Sequence, residues 1–303
     1  MAQFPSQDSA YGVWTLNEIR NARRGDNWPS STLQATGGTI TEITENGINY
    51  RVHTFTSSGT FQVTSGSGDV ECLVVAGGGG GGTSGSAGGG GGAGGGGMVE
   101  QTGYSISEKS YSVTVGAGGT GSADLDEVSG LNGEDSVFDG NLTAIGGGGG
   151  GNNPNSGGGD GQDGGSGGGA GVESSSSDPG GSALQPTSSS AGFGNAGGSG
   201  ESGSGGGGGG AGGAGSDGIS GSATGDAGVG RQSSISGTSL YYAGGGPGAF
   251  KDNIANSANG GGGVSLGDNG QPNTGGGASA GYDNSNPPGG NGGSGIVIIR
   301  YQI

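Results

Sequence analysis

"VVAGGGGGGTSGSAGGGGGAGGGG", residues 74–97, decides how the rest of the chain is read. Two β-branched valines, Val74 and Val75, run through Ala76 into a tract that is almost pure glycine. Glycine loses more conformational freedom on ordering than any other residue. The tract is therefore either a disordered tether or part of a fold that needs hydrogen atoms where side chains normally stand. A flexible linker alternates Gly with Ser and carries no apolar anchors. Here strand-like segments bracket the glycines at both ends, which would fix their termini.

The totals narrow the field. Of 303 residues, 90 are glycine, against a usual share of about 7%. A hydrophobic content of 26% argues against an ordinary apolar core, and a charged content of 11% argues against the usual disordered chain, which stays open through charge repulsion. The net charge of −17 is spread thinly, and the acids read as solubilising punctuation between glycines. Only eight Lys and Arg are present, too few for the phosphate contacts of a nucleic-acid binder. Cys72 is the single cysteine, so no internal disulfide forms, and "ECLVVA" around it reads as a strand with a buried, inert thiol. "MAQFPSQDSAYG" has neither the charged start nor the apolar run of a signal peptide. "CLVVA" and "GIVII" are far too short to span a membrane. The expectation is a protein made in a host cytoplasm, not inserted in a membrane, and released by another route such as lysis.

Residues 1–37 differ from the rest and read as an attachment segment. "WTLNEIRNARRGDNWP" predicts a short α-helix, with Thr15 and Glu18 as a capping box, Leu16, Ile19 and Ala22 as an apolar stripe, and Gly25 and Pro29 as its stop. Either this helix packs on its own domain, or Trp14, Arg20, Arg23, Arg24 and Trp28 dock to a partner, since these are contact-rich residue types.

Residues 38–303 read as one glycine-rich β body. "INYRVHTF" alternates, with Tyr50 and Val52 on one parity and Arg51, His53 and Phe55 on the other; "SSG" then predicts a hairpin-like turn into "TFQVT". β-like islands follow at 111–119, 136–147, 234–245 and 294–301. Several deliver one Ala or Ile and then glycines: Val75-Ala76-Gly77, Ala144-Ile145-Gly146, Tyr242-Ala243-Gly244. That is an irregular internal repeat, one device used several times. The last strand, "GIVIIRY", and "ECLVVA" are continuous rather than alternating, which predicts burial on both faces and a shared sheet. Taken as loops, the glycine segments between the islands are too long for a compact domain. Pure glycine has a regular alternative, an extended left-handed helix with three residues per turn. Each residue there keeps its N–H and can bond sideways to neighbouring helices.

"YRVHTFTSSGTFQV…VECLVVAGGGGGG…YSVTVGAGG…AIGGGGGG…SGIVIIRY" resembles the glycine-rich domain of bacteriophage tail-fibre and adhesin-type proteins, over residues 38 to 303. The start, "SAYGVWTLNEIRNARRGDNWP", is similar to short segments of phage structural proteins. The resemblance implies a mostly β fold in which short antiparallel strands clamp a packed polyglycine II layer, and a non-enzymatic virion subunit whose tip loops bind a host glycan or outer-membrane protein. Residues 1–37 would then join other virion proteins, and a homo-oligomer is expected, a trimer among the forms open to it. A self-assembling extracellular filament or surface coat is the alternative.

Chemical motifs are sparse. His53 is the only histidine and sits in a strand, so any Ser–His–Asp triad would have to use it. "GGSGG" at 164–168 matches a nucleophile elbow, as chance in a glycine background would give. "GGAGSDGIS" at 212–220 fits a calcium-binding nonapeptide around Asp217, but the next nine residues break the pattern. No enzyme and no cofactor are expected. For receptor contact the candidates are side chains that interrupt glycine: Phe193, Phe250, Lys251, Tyr282 and Asn284.

Overall fold

The computed structural model describes residues 15–17, 32–84, 88–123, 129–152, 159–172, 177–185, 192–220, 223–250, 253–282 and 288–303. In chain order its strands are β1 (Gln34–Thr36), β2 (Thr39–Glu45), β3 (Ile48–Phe55), β4 (Gly59–Ser65), β5 (Gly68–Val75), β6 (Thr83–Ser84), β7 (Met98–Ile106), β8 (Ser110–Thr114), β9 (Ser136–Phe138) and β10 (Leu142–Ala144). They continue with β11 (Ser177–Asp178), β12 (Gly192–Phe193), β13 (Gly200–Glu201), β14 (Arg231–Ser233), β15 (Leu240–Tyr242), β16 (Ala249–Phe250), β17 (Asn253–Ile254), β18 (Gly281–Tyr282) and β19 (Ile296–Gln302). No helix element stands among the described residues, so the expected N-terminal helix is not supported. Only residues 15–17 of it are described, and Leu16 is 83% exposed.

β19 is the centre of a six-stranded sheet ordered β12-β7-β5-β19-β3-β2. It runs antiparallel to β5, with Ile296 opposite Val75 and Arg300 opposite Glu71, and to β3, with Val297 opposite Phe55. The continuous apolar runs are explained by this position. Cys72, Val74, Val297, Ile299 and Tyr301 enter one core cluster, while Leu73, Val75, Ile296 and Ile298 enter another on the opposite face. Arg300, 8% exposed, binds the tail end of the sheet together. Its Nη1 lies 2.9 Å from Glu45 Oε2 and its Nη2 2.8 Å from Glu71 Oε2, and it stands over the Tyr50 ring.

The turn at 57–59 does not make a hairpin. β3 lies in the six-stranded sheet and β4 in a five-stranded sheet ordered β1-β4-β8-β9-β10. The chain crosses from one sheet to the other because Phe55 and Phe61 must both reach the core between them. His53 is fully buried there, edge-on to Phe61 with ring centroids 5.0 Å apart and stacked on Tyr301 at 5.6 Å. Its Nδ1 lies 2.8 Å from the Gly37 carbonyl oxygen. A carbonyl only accepts, so Nδ1 carries the hydrogen and Nε2 accepts from the Tyr301 hydroxyl at 3.4 Å. Burial pulls the His53 pKa below its ordinary value, and the nearby Arg51 charge adds to the shift against the opposing bond to Gly37.

The glycine tracts are ordered rows. Going from Gly77 to Gly82, successive N–H groups donate to the carbonyls of Glu134, Gly293, Gly94, Leu131, Gly290 and Gly91. The partner segment recurs every third residue, and its number falls by three, so these three neighbours are antiparallel. The carbonyls of the same row accept from Gly147 and Gly150, from Gly119 and Ser122, and from Ala278 and Gly281, three neighbours that run parallel. All these bonds span 2.8–3.1 Å. One row is thus bonded to six others. The row at 91–97 repeats the arrangement, donating to 145–151, to Gly206 and Gly209, and to Gly275 and Ala278. At most row positions this spacing has no room for a β-carbon, although Ala93 and Ala278 are accommodated: one built on Gly148 would fall well inside contact of the Gln162 carbonyl oxygen.

At the rim, where a row lacks a neighbour, side chains substitute for carbonyls. Asn132 Oδ1 accepts from the Gly149 N–H at 2.9 Å, and Asp135 Oδ1 from Gly146 at 2.8 Å, three residues apart on one row. Asp163, Asp217, Asp226 and Asp268 accept the N–H of Ser182, Ser199, Asn256 and Ser265 in the same way. The acids are therefore more than solubilising punctuation. They terminate the hydrogen-bond network.

Gly148→Val should abolish the cooperative transition in thermal denaturation, since the new side chain meets backbone that cannot move aside. Gly68→Ala, with nothing within 4 Å of the new β-carbon and no positive φ, should leave stability unchanged or raise it by up to about 1 kcal/mol. Equal effects of the two substitutions would contradict the rows. Ile298→Ala should cost about 2–5 kcal/mol in urea titration. A chain ending at Ser294, lacking β19, should become protease-sensitive in its glycine rows. A third expectation concerns pH. With its folded pKa below about 6.5, His53 binds its proton more tightly in the unfolded chain. Its contribution is full above that value and is lost as pH falls towards the folded pKa. His53→Gln should therefore flatten the stability profile between about pH 7 and pH 5. An unchanged slope would show that the group does not titrate on unfolding.

Candidate functional site

The rows inherit a direction from the strands. The row at 77–82 leaves β5, that at 116–122 leaves β8 and that at 145–152 leaves β10, whereas the rows at 91–97, 130–135 and 288–295 lead into β7, β9 and β19. One end of the lattice therefore abuts the sheets, and the chain reverses at the other. The described flanks of these reversals touch one another. Thr83 Oγ1 donates to the Ser122 carbonyl and accepts the Gly289 N–H, each at 3.0 Å. β6 pairs with β18, Gly89 bridges to Val172, and the Ala249 N–H donates to the Gly90 carbonyl.

Phe250 and Tyr282 are brought to this reversing end. β16 pairs with β17 and lies beside β18, so the two rings belong to neighbouring elements, each half-buried. Phe193 is elsewhere. It pairs with Met98 at the sheet end of the lattice, and the Arg231 guanidinium sits 3.6 Å over its ring. Trp14, Arg20, Arg23, Arg24, Trp28, Lys251 and Asn284 lie outside the described residues.

Titratable chemistry is walled in or dispersed. The Cys72 thiol is buried, and burial, followed by the Glu71 charge, pushes its pKa far up. Asp217, the acid of the calcium-like nonapeptide, accepts the Ser199 N–H at 2.7 Å. Among the described residues no group of three or more His, Cys, Asp or Glu is placed to hold a metal ion.

Sequence reasoning missed one concavity altogether. A cleft of about 500 Å³ opens where β15 meets the sheet end of the rows, lined by Tyr241, Asn259, Gln271 and Asn273 among others. Its one legible signal was the pair Tyr241-Tyr242: on a strand, adjacent side chains point to opposite faces, so both cannot enter one core. Tyr242 is buried and Tyr241 exposed.

A comparison with curated proteins finds no match. The family model described as a glycine-rich domain matches residues 54–302, from within β3 to the end of β19. That span takes in the glycine rows and most of both large sheets, and the chain belongs to the glycine-rich domain family.

Proposed function

We propose that this protein is a structural attachment unit, a tail-fibre or adhesin subunit of a virus particle, which turns the reversing end of its rows towards a host cell surface. The rows are read as polyglycine II-type helices, since their partners recur every third residue. The observation that carries the proposal is the division of labour along them. The two large sheets and both apolar cores occupy one end, and the reversals that follow the rows at 77–82, 116–122 and 145–152 lie at the other. A lattice held by backbone bonds tolerates changed residues at its reversals, because those residues take no part in its interior. Such an architecture suits a rigid spacer that presents exchangeable contacts. Phe250 and Tyr282 lie on that end, and Lys251 and Asn284 adjoin them in sequence.

On this reading the partners are a host surface glycan or outer-membrane protein at the loops, and other virion proteins at residues 1–37. The particle is the location, the active form is a homo-oligomer, and no chemistry is catalysed. A self-assembling filament is the second reading, and the open edge of β2, with Ile40 44% exposed, is what favours it. Glu42 and Glu45 on that strand count against edge-to-edge pairing, because charges on an edge strand oppose it.

Soluble protein should compete with virions for adsorption to host cells. Replacing the reversal around Phe250 by a Gly-Ser turn should remove that competition while the melting temperature holds. Deleting residues 1–30 should leave the body folded and end its incorporation into particles. Full competition by the loop variant, together with normal incorporation of the truncated chain, would refute the proposal.

A further inference from the structure

We infer that the cleft between β15 and the turns near Asn259 and Asn273 is a binding site for an uncharged saccharide. It goes beyond the attachment reading, because it lies at the sheet end of the rows. The row at 243–250 separates it from Phe250 by about 20 Å at 3.1 Å per residue. A saccharide can seat there whether or not the protein belongs to a virion.

Three features define the ligand's chemistry. The first is charge. The protein carries −17, yet none of the residues lining the cleft is charged. An anionic ligand would meet the negative field of the whole molecule with no cation inside the cleft to offset it. A cationic one would find no acid there to pair with.

The second feature is the mixture of surfaces. Buried Tyr242 and Ile296 contribute to the lining, while Leu240, Tyr241 and Val264 remain 45%, 41% and 59% exposed. Tyr241 is the only aromatic in the exposed class among the described residues. Exposing an aromatic side chain forgoes the burial that would stabilise the fold, and such rings gather at recognition surfaces where one end is apolar and the other wet. Beside it, the side-chain amides of Asn259 and Gln271 bond to no other group among the described residues. An amide offers donors and an acceptor together. A sugar ring has an apolar C–H face that an aromatic ring can receive, and hydroxyls at its edge that each both donate and accept. The lining matches that chemistry.

The third feature is preorganisation. Positive φ angles shape the turns of the lining, Asn273 at 62°, Gly260 at 116° and Gly261 at 82°, with Ala243 at 55° next to Tyr242. Backbone held in such conformations clusters at ligand sites, where the surrounding structure enforces it. The turn at 271–275 is locked from within. Thr274 Oγ1 donates to the Gln271 carbonyl at 2.7 Å and accepts the Gly276 N–H at 3.1 Å, while the Asn273 N–H donates to Ser294 Oγ at 3.0 Å. Gly260, Gly261 and Gly262 add lining without side chains, so a ligand can approach the backbone closely. The volume, about 500 Å³, falls in the usual range for small-molecule sites and leaves room for a short oligosaccharide.

The test uses the full chain with maltohexaose, mannohexaose and N-acetylchitohexaose as neutral probes, and with an oligogalacturonate and an uncharged hexapeptide as competitors of other classes. Binding is read by saturation-transfer NMR and titration calorimetry. At least one neutral oligosaccharide should bind through its ring protons. Tyr241→Ala should weaken that binding by at least about tenfold, and Gln271→Ala should weaken it as well. Both side chains are exposed, so the melting temperatures should hold, and Tyr241→Phe should retain binding because it keeps the ring face. The inference is overturned if none of the neutral probes binds, if binding survives Tyr241→Ala unchanged, or if the anionic sugar or the peptide is preferred. The reversing-end variant should leave this binding untouched, so loss of adsorption and loss of saccharide binding report on separate sites.

Discussion

Everything in this fold depends on the missing β-carbon. Without it, the row at 77–82 comes close enough to six neighbours for every N–H and every carbonyl from Gly77 to Gly82 to find a backbone partner. In most proteins the backbone is satisfied inside helices and sheets and the side chains then build the core. Here the interior of the lattice is nearly all backbone, with small side chains such as those of Ala93, Ala170 and Ala278 among the glycines. Each hydrogen bond returns only about 0.5–1.5 kcal/mol net, while ordering a residue costs about 1–2 kcal/mol. A single row would therefore melt, and the rows hold only as a cooperative set.

That constraint explains the two large sheets. Their apolar side chains are few, and they sit where the rows begin and end. β5 passes into the row at 77–82, and β19 receives the row at 288–295. Pairing β19 between β5 and β3 closes the circuit, and Arg300 with Glu45 and Glu71 fastens its far end. The sheets thus fix the ends that a row cannot fix for itself. At the outer rim, where the lattice has no next row, Asp and Asn oxygens complete it. The negative charge of the chain is partly the result of this geometry.

The same constraint decides where recognition can occur. A lattice interior of glycine with a few buried Ala and Ser side chains offers a ligand nothing to touch, so contacts must arise at the reversals or where the rows meet the sheets. Phe250 and Tyr282 mark the first place, and the cleft beside Tyr241 marks the second.

The sequence by itself determined the role of the apolar islands as anchors, while the ordering of the tracts rested on the resemblance and on the row bonds. The uninterrupted apolar runs at 72–76 and 296–299 announced two-faced burial, and Val75-Ala76-Gly77 announced the passage from strand to row. These are local signals, carried by neighbours in the chain. It did not announce the separation of β3 from β4, since a turn at 57–59 serves a hairpin or a crossing equally well, and only the need to place Phe55 and Phe61 in one core chooses. Nor did it reveal that Asp135 and Asn132 cap a neighbouring row, or that Tyr241, Asn259 and Gln271 converge. Most of the helix expected near Thr15 lies outside the described residues. Which row borders which is settled by bonds between residues more than two hundred positions apart, such as Gly78 and Gly293. Identical glycines carry no mark of their partners, so tertiary structure alone could assign them.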